Sequence, residues 1–219
     1  MKKTDWITSP YHQARIIPML KMIAEEGEGL KVLDVGCGDG SISKFIIDLG
    51  NEVWGIDMDI SKLRKAKKKG IKTHKWDINK GLPYKNNFFD LVQSSRFLEH
   101  IYDTEFFLKE CARVLKPNGA LIITAPNIAS FTNRLRIIFG FYPKWIAPSK
   151  SWHLGEHIRA FTKSVLKELL EKSGFKVEKV IADFVCFMPT KITNPPWSKI
   201  LGKIIPSFGE TLIAKARKR

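Results

Sequence analysis

The run VLDVGCGDG at 32–40 has glycine at positions 36, 38 and 40, directly after a mainly apolar segment. Residues 32–35 predict a short buried strand, and the residues from Ser41 onward predict a helix. Glycine lets the backbone turn sharply and approach a ligand without a Cβ in the way. The spacing reads GxGxG, and Ser41 stands where a dinucleotide-binding GxGxxG pattern needs its last glycine. The turn therefore favours a nucleotide-like ligand over a nicotinamide dinucleotide.

Two aspartates follow at the ends of the next two predicted strands. Asp57, in GIDMD, lies about twenty residues past the glycines, where a carboxylate can accept both hydroxyls of a ribose. Asp77, in WDI, could accept a hydrogen bond from an adenine amino group. Each aspartate alone could equally cap a helix or close a turn. Because all three features lie at carboxyl ends of successive strands, together they predict one crevice that binds a nucleoside.

The elements that must position these residues alternate along the chain. Helices are predicted at 11–26, 41–49, 60–69, 103–115 and 163–172, and strands at 32–35, 52–56, 71–76, 88–94, 120–124, 175–181 and 210–216. The helix at 103–115 is predicted to end at the turn Pro117-Asn118-Gly119. Alternating strands and helices joined by short links indicate a mostly parallel α/β sheet with helices on both faces.

The alternation is interrupted twice by apolar stretches without a clear period. We predict a single domain over 1–219, with a lid insertion at 128–156 and a second insertion at 184–206. The first insertion follows the fifth strand, at the edge where ligands bind in open α/β sheets. No internal repeat or low-complexity linker divides the chain.

The charge balance is strongly basic, with 37 Lys and Arg against 22 Asp and Glu, a net charge of +15. Such a balance favours polyanions, namely RNA, DNA or an anionic membrane face. Much of the excess lies in the predicted helix at 60–69, where Ile60, Leu63 and Ala66 recur at three-residue spacing among lysines. This pattern is typical of a solvated helix with one buried face, which we favour over a nucleic-acid surface.

The three cysteines, Cys37, Cys111 and Cys186, are too widely spaced for a disulfide framework or a zinc pattern. No uncharged apolar run of about 18 residues is present, so no transmembrane segment is expected. The first residues, MKKTDW, lack the apolar core of a signal peptide. We therefore expect a cytoplasmic protein.

Between residues 30 and 127 the sequence resembles the class I methyltransferases, which use S-adenosylmethionine. The resemblance rests on VLDVGCGDG, GIDMD, WDINKGLPYKNNFFDLVQSSRFLEHI and LKECARVLKPNGALIITAPN, and it extends to HIRAFTKSVLKELLEKSGF. It implies a Rossmann-like, doubly wound seven-stranded sheet, mostly parallel, with strand seven antiparallel beside strand five and supplied by 207–216. It also implies that the chain is an enzyme whose cofactor is S-adenosylmethionine.

The resemblance also implies roles for single residues. Asp34, Gly36 and Gly38 would face the methionine part of the cofactor, with Cys37 and Gly40 in the same loop. Asp57 would hold the ribose. The remaining cofactor positions are Met58 against the adenine, Asp77 and Ile78 at its amino group, and Ser94 and Ser95 beside the methyl group.

A general base is sought just after strand four, where His100 follows Glu99. An imidazole titrates near neutrality, so His100 is our candidate base, although it could equally pack against the following helix. Some relatives that methylate quinone precursors show Glu-x-x-Glu-His here and use it for a metal. Arg96 replaces the first of these glutamates, so no metal is expected.

Two further motifs are weaker. The run from His153 to His157 matches the HxxEH pattern of zinc proteases, but Gly155 weakens the helix that this chemistry needs. His157 is expected to line the acceptor pocket or to hold the insertion in place. The NPPW sequence at 194–197 resembles a signature of amino-group methyltransferases but lies far from strand four, so we interpret it as a rigid turn.

The insertions carry the information about the methyl acceptor. Both are rich in aromatic and aliphatic residues interleaved with cations, including Phe139, Trp145 and Arg134. A cap of this kind favours an apolar, lipid-like or quinone-like small molecule, with peripheral membrane contact as an option. Aromatic residues among cations could also stack on RNA bases, which makes an RNA methyltransferase the alternative. A non-catalytic module that binds S-adenosylmethionine is the third hypothesis.

Overall fold

The computed structural model describes residues 9–146, 157–186 and 196–219. The described helices, in chain order, are α1 Pro10–Ala24, α2 Ser41–Asp48, α3 Ile60–Lys68, α4 Thr104–Val114, α5 Phe131–Ile138, α6 Lys163–Lys172 and α7 Pro196–Ile204. The strands are β1 Lys31–Val35, β2 Glu52–Asp57, β3 Lys72–Lys75, β4 Phe89–Ser95, β5 Leu115–Pro126, β6 Phe175–Ala182 and β7 Thr211–Lys218. Within these ranges, no helix is long and apolar enough to cross a membrane.

The seven strands form one sheet in the order β3-β2-β1-β4-β5-β7-β6. Strands β1 to β5 are parallel to one another, whereas β7 pairs antiparallel with both β5 and β6. This confirms the predicted Rossmann-like, doubly wound fold with an antiparallel seventh strand. The carboxyl ends of β1, β2, β4 and β5 consequently lie at one edge of the sheet. Strands β2 and β3 are added on one side of β1, and β4 and β5 on the other, so the strand order reverses between β1 and β4.

Alternate residues of the central strands point into two separate cores. Leu91 of β4 packs in the layer that holds Met19 of α1 and Ala66 of α3. Val92, its neighbour, packs in the other layer with Leu108 of α4 and Leu170 of α6. Side chains alternate between the two faces of a strand, so helices can cover both faces of this sheet.

Helix α1 is joined to the last strand by ion pairs. Glu26, just past the helix, pairs with Lys215 at 2.6 Å and accepts two hydrogen bonds from the Arg217 guanidinium at 2.6 and 2.9 Å. Glu25 lies 3.3 Å from the Lys215 ammonium group. These carboxylates hold the C-terminal end of α1 against β7.

The turn predicted at 117–119 is wrong, because β5 begins at Leu115 directly after α4. Leu115 pairs with Phe89 and Ala120 with Leu91, so residues 116–119 form a bulge in the strand pairing. Asn118 has a positive φ of 59° within this bulge. The Pro-Asn-Gly sequence therefore bends a strand instead of ending a helix.

The stretches predicted to be irregular contain two helices, and α5 shows why they were missed. Its buried side chains are polar: Thr132 donates a hydrogen bond to the Cys186 carbonyl, and Asn133 bonds the backbone of Lys144. Its aliphatic residues face outward instead, with Ile138 73% exposed. Because the usual apolar-inside pattern is inverted, hydrophobic periodicity does not reveal this helix.

Candidate cofactor and acceptor site

Asp57, at the end of β2, is bound directly to the glycine-rich turn. The Gly38 N–H donates to one carboxylate oxygen at 2.9 Å, and the Asp59 N–H donates to the other at 2.9 Å. A carboxylate oxygen can accept a further hydrogen bond, so both oxygens retain capacity for a ligand hydroxyl. The carboxylate therefore lies at the rim of the turn, where the ribose-binding role was predicted.

The three glycines of the turn meet different surroundings. A Cβ on Gly36 would lie 2.3 Å from the Phe97 ring, and one on Gly40 would lie 2.2 Å from Ile71, so these two positions serve tight packing. Gly38 has a φ of +56°, and a Cβ there would meet nothing within 4 Å. Gly38 alone among them borders open space, which is the space that a cofactor needs.

Asp34 and Cys37 lie beneath the turn and not on its surface. The buried carboxylate of Asp34 accepts a hydrogen bond from the Ser43 hydroxyl of α2. Burial raises the pKa of Asp34 to about 7, although the hydrogen bond from Ser43 opposes this shift. Burial also raises the pKa of the Cys37 thiol, whose sulfur packs against Gly55. Both side chains support the turn from below, and direct cofactor contact by either stays a prediction.

The predicted adenine positions differ in exposure. Met58 follows β2 and is 57% exposed, so its side chain is available to cover a ring. Asp77 accepts hydrogen bonds from the Asn79 backbone and side-chain N–H groups, and thereby caps a short 3-10 helix, Ile78–Lys80. Ile78 is buried in the core. Asp77 therefore has the helix-capping role that was its alternative, and a hydrogen bond from Asp77 to an adenine stays a prediction.

Ser94 and Ser95 join the ends of three neighbouring strands. The Ser94 hydroxyl donates to the Val35 carbonyl of β1 at 3.1 Å. The Ser95 hydroxyl lies 3.2 Å from the Thr124 hydroxyl of β5. Ser94 is fully buried, so its described role is to fix the strand ends between which a methyl group would lie.

These residues fit S-adenosylmethionine. The open face of Gly38, the carboxylate of Asp57 and the exposed Met58 lie at the ends of two adjacent parallel strands, as the cofactor loop, ribose and adenine require. Helix α2 follows directly, and its first N–H, that of Ser41, donates to the Asp39 carboxylate at 3.1 Å.

The segment after β4 forms a cluster of charged and imidazole side chains. The Arg96 Nε donates to the buried Glu99 carboxylate at 2.8 Å. The His157 Nε2 lies 3.8 Å from the same carboxylate, and the His157 and His100 rings lie 4.8 Å apart. Burial lowers the pKa of His157. The structure thus brings the two predicted histidines together, with His157 buried and His100 exposed.

One ligand atom from each of Glu99, His100 and His157 lies within 4.8 Å of the others, close enough to surround a cation. The Arg96 guanidinium already neutralises one Glu99 oxygen, while the other oxygen is buried without a hydrogen-bond partner among the described residues. The set therefore offers three ligands beside a resident positive charge. The expectation that no metal is needed stays a prediction.

Sequence reasoning missed four polar side chains on the acceptor side: Tyr11, Arg15, Asp183 and Glu210. They come from α1, from the residue after β6 and from the residue before β7. Arg15, Asp183 and Glu210 are buried. The only available signal was a lone charge among apolar neighbours, as in ADFV at 182–185, and such a signal does not show which residues meet in space.

The two weaker motifs fall largely outside the described residues. Of the HxxEH match only His157 is described, and of the NPPW sequence only Pro196 and Trp197 are. Trp197 lies in α7, so the end of this motif is helical and not part of a turn. The lid insertion is described as far as residue 146, and the second insertion at 184–186 and 196–206.

Comparison with known proteins agrees with this geometry. The family model "Methyltransferase domain" matches residues 33–123. The human mitochondrial ubiquinone biosynthesis O-methyltransferase is 32% identical over 162 residues, which is 70% of this chain and 43% of the human protein. The chain thus spans less than half the length of that relative.

Solved structures show the same fold. An S-adenosylmethionine-dependent methyltransferase from Thermotoga maritima has a TM-score of 0.69 and 20% identity, covering 98% of this chain and 93% of its own. One from Mesorhizobium loti has a TM-score of 0.63 and 18% identity, covering 99% of both chains. By its sheet and its glycine-rich turn, the chain has the fold of the S-adenosylmethionine-dependent methyltransferases, and its residues 33–123 match the methyltransferase domain.

Proposed function

We propose that the chain transfers a methyl group from S-adenosylmethionine to a hydroxyl oxygen of an apolar, lipid-like or quinone-like small molecule. The observation that carries this proposal is the inverted helix α5, which follows the carboxyl end of β5 and turns its aliphatic side chains away from the core. Phe139 and Phe141 continue the apolar surface and are 70% and 61% exposed. The name of the human relative, an O-methyltransferase of ubiquinone biosynthesis, supports an acceptor of this class.

Methyl transfer requires only a few contributions from the protein. When bound, the cofactor supplies a methyl group on a sulfonium, already activated for in-line displacement. The chain has to align the hydroxyl, exclude water and take up one proton. Asp57 and the turn at Gly38 would hold the cofactor, and the segment after β4 would present the proton acceptor.

His157 is the better placed of the two histidines to accept that proton. Its Nδ1 lies 3.0 Å from the Trp145 carbonyl oxygen, which can only accept, so Nδ1 carries the hydrogen in the neutral ring. Nε2 is then the basic nitrogen, and it faces Glu99 at 3.8 Å. Burial lowers the pKa of His157 and keeps the ring neutral, while the Glu99 carboxylate stabilises the imidazolium that forms. The exposed His100 beside it can pass the proton to solvent.

The same surface supports a peripheral contact with an anionic membrane face, where an apolar acceptor would be dissolved. Helix α7 exposes Trp197, Ile200 and Ile204 among lysines. The segments 128–146 and 196–209 contain no acidic residue. The Arg134 guanidinium lies over the Phe208 ring at 4.9 Å and connects α5 to the segment after α7. Exposed apolar and cationic side chains without carboxylates are typical of interfacial binding. Such a protein would work from the cytoplasm.

The experiment follows a labelled methyl group from S-adenosylmethionine into separated fractions of a cell extract. We expect the label in the lipid fraction. Label in RNA would support the alternative that uses the basic surface, and cofactor binding without label in any fraction would support a non-catalytic module. Either result would overturn the proposal.

Trp145→Ala sharpens the same assay, because Trp145 lies under the Arg96 guanidinium at 4.7 Å and donates to Glu210 at 3.3 Å. Losing these contacts should raise the KM for the acceptor about tenfold while leaving cofactor affinity within about twofold. Phe45→Ala, an exposed aromatic residue of α2, is the control and should change neither. A normal KM in the Trp145 variant would place the acceptor elsewhere.

A further inference from the structure

Unpartnered polar atoms converge beside the acceptor side of the site. The buried side chains of Arg15, Asp183 and Glu210 each contain a buried nitrogen or oxygen without a hydrogen-bond partner in the described part of the chain: Arg15 Nε, Asp183 Oδ2 and Glu210 Oε1. The Tyr11 hydroxyl is in the same condition. Leaving a buried polar group unpaired costs about 1–3 kcal/mol, so several such atoms in one place indicate that a ligand completes them.

Contacts between described residues join Tyr11, Asp183 and Glu210 into one chamber, and Arg15 interacts electrostatically with Asp183 and Tyr11. The Tyr11 ring centroid lies 5.5 Å from that of Phe184 and 6.5 Å from that of Trp145. Trp145 donates to Glu210, and Glu210 donates its backbone N–H to the Phe184 carbonyl at 3.0 Å. Asp183 is fixed by the backbone N–H groups of Phe184 and Thr211, both of which donate to its Oδ1. The Thr211 side chain also interacts with the Asp183 carboxyl, whereas Oδ2 has no hydrogen-bond partner among the described residues.

Charge and hydrogen-bonding capacity restrict what can fill the chamber. Arg15 offers a donor, whereas Asp183 and Glu210 offer two acceptors. Burial and the nearby Arg96 lower the pKa of Arg15 to about 10, so it remains a cation at neutral pH. Because Arg96 is paired with Glu99, the three remaining charges sum to about −1. Burial raises the pKa of Asp183 to about 6, so this carboxyl is still mainly ionised at neutral pH.

Three simple ligand head groups can be compared with the one donor, two acceptors and net negative charge of the chamber. A carboxylate has no hydrogen to give to Asp183 or Glu210 and is repelled by both. An ammonium group has three donors and would neutralise the net charge, but it has no acceptor for the Arg15 N–H. A pair of neighbouring hydroxyls supplies two donors and an acceptor without adding charge. Of these three head groups, the diol is the one that satisfies all three side chains.

We infer that Arg15, Asp183 and Glu210 bind a second polar group of the acceptor, a hydroxylated end with two neighbouring hydroxyls. This inference rests on the proposed function and deepens it: the acceptor then carries an apolar body and a diol-like end. The aromatic rings of Tyr11, Trp145 and Phe184 provide the apolar walls between which such an end would lie. Selection between apolar acceptors would depend on these three polar residues.

The test measures binding of four probes with the same eight-carbon tail to the full chain saturated with S-adenosylhomocysteine, by calorimetry. The probes are octane-1,2-diol, 1-octanol, octylamine and octanoate. We expect the diol to bind about tenfold more tightly than 1-octanol, since it makes at least one more buried hydrogen bond. Equal affinity for the diol and 1-octanol, or tightest binding by octylamine or octanoate, would overturn the inference.

Two variants assign the preference to the chamber. Asp183→Asn keeps an oxygen for the two backbone N–H groups and replaces only the unpartnered one, and Arg15→Gln removes the cation. Each should reduce the preference for the diol to about twofold and leave 1-octanol unaffected. Arg64→Gln, an exposed arginine of α3, is the matched control and should keep the full preference. A preference unchanged in both chamber variants would show that these atoms contact only water.

The outcomes separate this inference from the proposed function. Loss of S-adenosylhomocysteine binding, or the absence of labelled lipid in the methyl-transfer assay, would remove the proposed function whatever the probes do. Labelled lipid together with equal binding of all four probes would remove only the diol assignment. If a chamber variant fails to fold, as its melting curve would show, the four-probe comparison on the unsubstituted chain still decides the question.

Discussion

The cofactor side and the acceptor side of this site are built by different means. On the cofactor side, Asp57 accepts from the backbone of Gly38 and Asp59, so its hydrogen bonds run between residues at most 19 positions apart. On the acceptor side, Arg15, Asp183 and Glu210 come from distant parts of the chain, and each has an atom without a described partner. The first is complete without a ligand and the second is not.

The difference between the two sides indicates which of them selects its ligand. A complete, backbone-based turn suits a cofactor that is the same in every turnover, because its shape is fixed before binding. An incomplete chamber gains its missing hydrogen bonds only from a ligand with matching groups, and it penalises any other. The same sheet edge therefore combines a general cofactor site with a selective acceptor site.

The largest effect expected is that of Asp57→Ala on cofactor affinity. Removing the carboxylate should weaken S-adenosylmethionine binding by about 100-fold, since two charged hydrogen bonds to the ribose are lost. The Gly38 and Asp59 N–H groups also lose their acceptor, which should lower the free energy of unfolding by about 1 kcal/mol. Calorimetry and urea unfolding measure the two changes.

Asp59→Ala is the matched control for that substitution. Asp59 caps α3 by accepting from the Ser61 and Lys62 N–H groups, and its loss should also lower the free energy of unfolding. Its cofactor affinity should stay unchanged. If both variants bound the cofactor equally well, Asp57 would be a structural residue and the cofactor side would lose its main contact.

A smaller effect should come from Asp34, whose buried carboxyl has its pKa raised to about 7 from an ordinary value of 3.8. The folded state then holds this proton more tightly than the unfolded chain. Its contribution to the free energy of unfolding is therefore full below about pH 4 and falls as the pH rises to about 7. Asp34→Asn cannot ionise and keeps an oxygen for Ser43.

Urea unfolding of both proteins at pH 5 and pH 8 tests this expectation. Relative to the unsubstituted chain, the Asn variant should gain stability between the two values. Parallel pH dependences would mean that Asp34 has an ordinary pKa and that the cofactor side has no buried titrating group.

The smallest effects are expected on α3. Lys65, Lys67 and Lys68 are exposed, so their joint replacement by Gln should leave unfolding and cofactor affinity unchanged. Lys69 instead donates to the hydroxyl of Ser41, the first residue of α2, at 2.8 Å and lies 3.5 Å from Asp39 of the glycine-rich turn. Lys69→Gln should weaken cofactor binding by about two- to threefold.

Calorimetry with S-adenosylmethionine compares these two sets directly. Equal losses in the triple variant and in Lys69→Gln would contradict the idea that only Lys69 contacts the cofactor side. A change in RNA affinity confined to the triple variant would instead support the alternative in which the basic surface binds RNA.

The cofactor side could be predicted from sequence because its signals are local. The glycine spacing and Asp57 at a strand end each lie within one short segment, and strand and helix periods placed five parallel strands correctly. The expected buried face of α3 also holds at Leu63 and Ala66, although Ile60 is 48% exposed. A sequence pattern within one segment is enough to predict contacts that form within that segment.

The acceptor side could not be predicted in the same way. Helix α5 buries Thr132 and Asn133 and exposes its aliphatic residues, so its pattern indicates the wrong face. Arg15 lies in α1, and the hydrophobic periodicity of that helix predicts burial of its apolar residues but not of Arg15. Asp183 and Glu210 lie close together because β6 and β7 are adjacent in the sheet. The order of the strands cannot be predicted from any single segment of the sequence.

The ion pairs between Glu26 and Arg217 join residues 191 positions apart in the chain. Protein synthesis proceeds from the N-terminus, so α1 emerges long before β7, the strand that holds it, exists. The segment that carries Tyr11 and Arg15 must therefore wait until β7 has been made. We expect the cofactor turn to acquire its structure while synthesis continues, and the acceptor chamber to close only as the last strand is added.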